Sequence, residues 1–321
     1  GYSSHAYVIA QILKDHPDWV ILNKDGSVAR NNRGLAILDP ALPEVQEYLV
    51  AMTRKFIKAW GFDGHKLDNI YSVPACYNPA HNHQRPEESV EALSEAYRLI
   101  FETTRQLKPY SVTQICPCGT PPTFTLLPYM DQAVTADPTS SHQIRLRIKF
   151  YKALLGSRFP VFADHVELSD GSSDFASEIG AGGIPGTKFV WPEDQTVHAR
   201  VEEWWGFSSE KRAKWKKWFD VYHRYRLSEG EYLNLYDMGF DFPEGHAIRK
   251  GEHSYFAFYN GTHKDPARIY QGLITLRGLD EKTYQVRDYV RDQNIAEVSG
   301  PIAQIQVEFK GYLLLEAIPL V

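Results

Sequence analysis

The sequence predicts an α/β region of the parallel barrel kind, followed by an antiparallel β domain built as a small sandwich. Three observations carry this reading. Short apolar runs alternate with amphipathic helical stretches as far as about residue 225. Four of those runs end in polar residues, at the strand ends where a parallel β/α barrel builds its active face. Beyond residue 226, aromatic and β-branched runs separated by turns replace helical spacing. The expected domains are therefore 1–225 and 226–321.

In chain order, HAYVIAQILKDHPDW reads as a helix and GLAILD as a short strand. PEVQEYLVAMTRKFIKAW reads as a helix: Pro43 suits a first turn, and Val45, Tyr48, Leu49, Met52, Phe56 and Ile57 recur at helical spacing. GFDGHKLD is a strand. PEESVEALSEAYRLIFETTRQL is a helix whose acidic first turn complements the helix dipole. YSVTQIC and DQAVTAD are strands, and HQIRLRIKFYKALLG is a helix stopped by Gly156. RFPVFAD and GTKFVWP are strands, followed by the helix SEKRAKWKKWFDVYHRY. The later strands are HSYFAFYN, ARIYQGLITL, TYQVRDYV and IQVEFKGYLLLEAI.

Composition narrows the function classes. The 321 residues are 43% hydrophobic, enough for a sizeable core. The net charge of −5, with both signs spread along the chain, gives no basis for nucleic acid or an anionic membrane as partner. No apolar run approaches the roughly 20 residues of a membrane helix. The chain does not begin with Met, so its start is read as processed, trimmed or incomplete. Cys76, Cys116 and Cys118 are an odd count and argue against a disulfide framework, which leaves the compartment open between cytoplasmic and secreted or periplasmic.

The chemistry lies at four strand ends: Lys66-Leu67-Asp68, Cys116-Pro117-Cys118-Gly119, Asp137-Pro138 and Asp164-His165. Alternation puts Lys66 and Asp68 on one side of their strand, facing the barrel mouth. Two aspartates on different strands suit a carboxylate pair in which one attacks and the other donates a proton, as in most glycosidases. The Lys66 ammonium would keep Asp68 ionised, and a less compensated setting would suit Asp137 as a proton donor. Each aspartate also has a plain alternative as a helix cap or Asx turn. Cys118 and Gly119 would bring backbone close to a sugar. Asp164 joins the substrate-facing set, and Trp191 would stack on a sugar face or pack at the rim.

The ordered set HPDW, LDPALPEV, WGFDGHKLDN, CPCGTPP, DQAVTADPTSSHQIRLRIK and FPVFADHVEL resembles the melibiase-type α-galactosidases of glycoside hydrolase family 36, over roughly residues 10 to 190. The resemblance implies a (β/α)8 TIM barrel followed by a β domain. It implies Asp68 as nucleophile, Asp137 as acid/base and Lys66 as a contact to sugar hydroxyls. It implies a retaining exo-glycosidase on terminal α-galactosides. Two features depart from the pattern. Ala133 stands where some relatives carry arginine, with Arg145 and Arg147 following. The match also begins after the family's third barrel strand. Five strands do not close an eight-stranded barrel, so the chain is expected to be a fragment that an upstream segment completes.

Other readings stand beside this one. α-N-Acetylgalactosaminidase activity or raffinose-synthase-like transglycosylation would use the same machinery. A reading of another class is a non-catalytic carbohydrate-binding module. Neither cofactor nor metal is expected: His81 and His83 with Cys116 and Cys118 match no common zinc spacing. Asp39 is read as a cap for the helix beginning at Pro43. AGGIPG precedes a strand, which fits a packing loop rather than a phosphate loop. Trp204, Trp205, Trp215 and Trp218 are read as packing residues, and self-association is left open.

Overall fold

The computed structural model describes residues 5–6, 11–31, 34–68, 73–117, 123–164, 174–187, 208–261, 265 and 267–320. They fall into two compact units, Gly1–Ala133 and Val134–Val321.

The first unit opens with β1 (His5–Ala6), α1 (Gln11–Asp15) and β2 (Ala36–Ile37). The stretch expected to be one helix from His5 to Trp19 is thus a two-residue strand, a short helix and a 3-10 turn at Pro17–Trp19. GLAILD is not a parallel strand. β1 pairs with β2 antiparallel, and the Ile21, Ala29 and Ile37 segments bond to one another in antiparallel fashion. A short apolar run fixes burial and leaves the partner strand unspecified.

Helix α2 (Pro43–Arg54) starts on Pro43 and buries Val45, Leu49 and Thr53, then widens into a π-helical turn over Lys55–Ala59. Strand β3 (Gly64–Leu67) follows, then α3 (Glu88–Leu107) and β4 (Val112–Ile115). β3 and β4 pair in parallel from Gly64↔Val112 to Leu67↔Ile115. Gly64 is required here, since a Cβ would sit 2.2 Å from the Val112 carbonyl oxygen. α3 packs beside α2 and buries Leu93, Ala96, Tyr97 and Ile100. Strand β5 (Gln132–Val134) pairs in parallel with β4 through Gln132 and Ala133.

The second unit takes up the end of β5, where the Thr135 N–H donates to Phe162. Helix α4 (Ser141–Leu155) is capped by the Ser140 hydroxyl and ended at Gly156, whose φ is +120°. Strand β6 (Val161–Phe162) bridges in parallel to Ile184, just ahead of the expected strand GTKFVWP, most of which lies outside the described residues. Helices α5 (Phe175–Gly180) and α6 (Ser209–Tyr225) follow.

Then come β7 (Glu231–Leu233), β8 (Glu244–Lys250), β9 (His253–Tyr259), β10 (Ile269–Arg277), β11 (Thr283–Asp288), β12 (Gln293–Ser299), β13 (Ile302–Lys310) and β14 (Tyr312–Pro319). The six-stranded antiparallel sheet runs β12-β11-β14-β9-β8-β7, and β10 pairs with β13. Phe256, Phe258, Leu313 and Leu315 share a core with Ile274, Ile305 and Phe309. From the other face, Tyr255, Ala257, Tyr259 and Leu314 pack with Phe175, Ile179, Trp215 and Trp218. The sheet is therefore covered on both faces, which is why β9 and β14 read as continuous apolar runs rather than alternating ones. The packing role expected of Trp215 and Trp218 is what this core displays, while Trp204 and Trp205 lie outside the described residues. No described helix is long and apolar enough to cross a membrane.

Candidate active site

The sequence fixes the local geometry of Asp68. Leu67 is buried, and Lys66 and Asp68 on either side of it are half-buried, as alternation along a strand requires. The Cys116 N–H donates to the Leu67 carbonyl, carrying the β3–β4 pairing as far as the residue before Asp68. Cys116 itself is buried. His65, the preceding residue, sits between the Thr104 and Thr113 hydroxyls at 3.1 and 3.4 Å. Burial lowers its pKa to about 4.

In the second unit, the end of β5 turns sharply. Ala136 and Asp137 have φ of +54° and +45°, and Asp164, just past β6, has +49°. Non-glycine residues in this region are strained, and such strain collects at functional sites. Two side chains hold the turn. Arg147, from α4, donates to the Thr135 and Ala136 carbonyls. Asp164 accepts the Asp137 N–H at 2.8 Å and is fully buried. Gly186 presses against Asp164, with space for no Cβ: one would lie 2.1 Å from the Asp164 carbonyl oxygen. The Gly186 N–H in turn donates to buried Glu178 at 3.3 Å. Asp137 is half-buried.

Arg145, two residues before Arg147 on the same helix, is engaged within the fold. Its guanidinium meets Glu244 at 2.6 and 2.8 Å and Ser177 at 2.6 Å, and lies over the Tyr259 ring. Burial would raise the Glu244 pKa, but Arg145, His142 and His246 outweigh it and hold the carboxyl far below its usual range. Ala133 is fully buried. Cys118, Gly119, His165 and Trp191 lie outside the described residues.

The two histidines considered for zinc find other partners than the Cys-Pro-Cys run. Among the described residues, one group has metal-ligand spacing: Asp39, Cys76, His81 and His83, with ligand atoms all within 4.8 Å of one another. Burial raises the Asp39 pKa, but hydrogen bonds from His81 and His83 outweigh it and hold the carboxyl at about 2. Burial lowers the His81 pKa, but the Asp39 contact outweighs it and pushes the ring up to about 10. Asp39 does not cap α2 with its side chain; Leu42 is the N-cap, and Asp39 closes a tighter turn by accepting the Ala41 N–H. Cys76-x4-His81-x-His83 was the signal available in the sequence, with Asp39 supplied from far upstream.

Comparison with known proteins places these features in context. The sequence model of the family Melibiase matches residues 7–173. An A type blood alpha-D-galactosamine galactosaminidase of Flavonifractor plautii is 35% identical over 318 residues, covering 96% of this chain and 28% of that protein. A variant of the GH36 alpha-galactosidase AgaA of Geobacillus stearothermophilus, solved with raffinose, superposes with a TM-score of 0.64 at 16% identity, over 98% of this chain and 44% of that one. A GH27 β-L-arabinopyranosidase of Geobacillus stearothermophilus reaches 0.58 at 12% identity, over 94% and 67%. At these identities the structural likeness speaks for the fold alone. The chain spans little more than a quarter of the curated relative's length.

Proposed function

The chain belongs to the melibiase family, and on that premise we propose that it carries the catalytic carboxylates of a retaining exo-glycosidase for terminal α-galactosides. The observation that carries this reading is the placement of the two aspartates. Asp68 follows β3 directly and Asp137 lies just past β5, each at the carboxyl end of a parallel strand, where β/α barrels place catalytic groups. Asp68 attacks the anomeric carbon as the leaving oxygen departs, forming a glycosyl-enzyme. Asp137 gives that oxygen its proton, then takes one from the water that releases the sugar. Retention asks for the two carboxyls about 5–5.5 Å apart. Lys66 binds sugar hydroxyls beside Asp68. Asp164 acts through Asp137, whose backbone N–H it holds, and Cys118, Gly119 and Trp191 complete the sugar contacts.

Support for an oligosaccharide substrate comes from the GH36 structures solved with raffinose and stachyose. Support for a second reading, action on terminal α-D-galactosamine, comes from the named substrate of the relative at 35% identity. The two differ at C2 of the sugar, and parallel assays on nitrophenyl α-galactoside, its 2-amino analogue and its N-acetyl analogue separate them.

Among the described residues the parallel sheet has four strands, β3 to β6, too few to close a barrel. We extend the proposal to a further segment that supplies the remaining strands of the barrel, since the chain spans 28% of the curated relative's length. The texture change at 225/226 is our proposed domain limit.

The test is azide rescue. Asp68→Ala should lose activity by roughly 10³-fold or more, and azide should restore turnover with a glycosyl azide of inverted configuration. Asp137→Ala should give the retained configuration. An Asp68→Ala enzyme as active as the parent would end the assignment.

A further inference from the structure

We propose that Asp39, Cys76, His81 and His83 form a structural zinc site. The inference stands on the first unit alone and is independent of the glycosidase reading.

The four residue types are zinc ligands, and their donor atoms form one compact group. Asp39 Oδ2 lies 2.8 Å from His81 Nδ1 and 2.6 Å from His83 Nε2. Cys76 Sγ lies 3.3 Å from the same His81 Nδ1. Tetrahedral zinc with bonds of about 2.0–2.3 Å separates its ligand atoms by about 3.3–3.7 Å. The two carboxylate–imidazole contacts therefore need to open by only about 0.5–0.7 Å for an ion at the centre. Asp39, Cys76 and His81 are buried and His83 is nearly so, as in closed structural sites rather than open catalytic ones.

The outer partners make the stronger case. A ligating histidine nearly always gives its other ring N–H to a carbonyl or carboxylate. His81 Nε2 lies 2.6 Å from the Asp18 carbonyl, an acceptor only, so this nitrogen carries hydrogen and Nδ1 is turned to the cluster. The Asn78 amide nitrogen, beside the same Nε2 at 2.9 Å, donates to the Val20 carbonyl. His83 Nδ1 lies 3.4 Å from the Glu88 carboxylate while Nε2 faces Asp39. Asp39 Oδ1 accepts the Ala41 N–H at 3.0 Å, leaving Oδ2 for the cluster. Cys76 Sγ accepts the Asn78 N–H at 3.5 Å. Each ligand is thus oriented by a second contact. On the cluster side, His81 Nδ1 faces the Asp39 carboxylate and Cys76 Sγ, and His83 Nε2 faces the same carboxylate. The ion would fasten the segment Cys76–His83, which follows β3 and Asp68, to the Asp39 turn at the start of α2.

The experiment measures metal on the purified chain. After incubation with zinc and desalting, elemental analysis should find about one zinc per chain. Cobalt loading should give tetrahedral ligand-field bands and a thiolate charge-transfer band. Cys76→Ser should abolish that band and His83→Ala should lower metal content, with circular dichroism reporting whether each variant folds. A chelator should lower the melting temperature of the parent and leave that of Cys76→Ser unchanged. Substoichiometric metal in the unaltered chain, or a cobalt spectrum without thiolate character, would overturn the proposal and leave a hydrogen-bonded histidine–aspartate cluster. Those two measurements decide the matter even where a variant fails to fold.

Discussion

Arg145 lies between two opposed costs. A buried guanidinium is expensive to desolvate, and Glu244, Ser177 and the Tyr259 ring offset that cost. Removing it leaves Glu244 buried beside His246 without its main countercharge. Arg145→Leu should therefore cost about 3–5 kcal/mol in urea unfolding, and Arg145→Leu with Glu244→Leu should recover much of it. An additive double variant would contradict the pairing. His65 gives a pH signature. Its folded pKa, about 4, is below the unfolded value of 6.5 because burial disfavours the charged ring. The unfolded chain binds the extra proton between those values, so stability is full above 6.5 and falls as pH drops toward 4. Between pH 7.5 and 5 the loss from this residue should be about 2 kcal/mol. The parent should lose that much more stability than His65→Gln over the same interval. Equal losses would show that His65 does not titrate as its burial implies.

At the scale of elements, β3 depends on close approach at its first residue. A side chain at Gly64 would meet backbone of β4, which has no flexible end to move aside. Gly64→Ala should cost about 2 kcal/mol or more and, by shifting the strand that carries Asp68, lower kcat more than it raises KM. An unchanged kcat would separate Asp68 from this register. The elements that could be read from sequence were those with a strong local signal. α3 and α4 show sustained helical spacing, and Gly156 stops α4 as expected. The strand ends bearing Asp68 and Asp137 were visible because polar residues closed apolar runs. GLAILD holds the short strand expected of it, but its apolar run says nothing of its antiparallel partners, which lie at His5–Ala6, Ile21 and Ala29. The Asp39–His81 contact spans 42 positions, and local pattern carries no trace of it. Asp164 was legible as a strand-end carboxylate, but its grip on the Asp137 N–H depends on a left-handed turn that no residue type announces.

At the scale of the molecule, the six-stranded sheet shares one face with β10 and β13 and the other with α5 and α6. A fragment of residues 226–321 would leave Tyr255, Ala257, Tyr259 and Leu314 without their helical cover. Exposed contiguous apolar surface promotes association. That fragment should show lower soluble yield and stronger ANS binding than residues 134–321. Equal solubility and dye binding would mean that the helices contribute little to the sheet.

The doubly covered sheet also imposes an order on synthesis. β9 leaves the ribosome with α6 already made, but its neighbour β14 lies about 60 residues later in the chain. At roughly 5–20 residues per second this is a delay of about 3–12 s. Throughout it the run SYFAFY has one flank and one face open, with no charged residue inside the run to discourage pairing with another nascent chain. The same apolar continuity that seals the finished sheet makes this interval the one in which the nascent chain is most open to association.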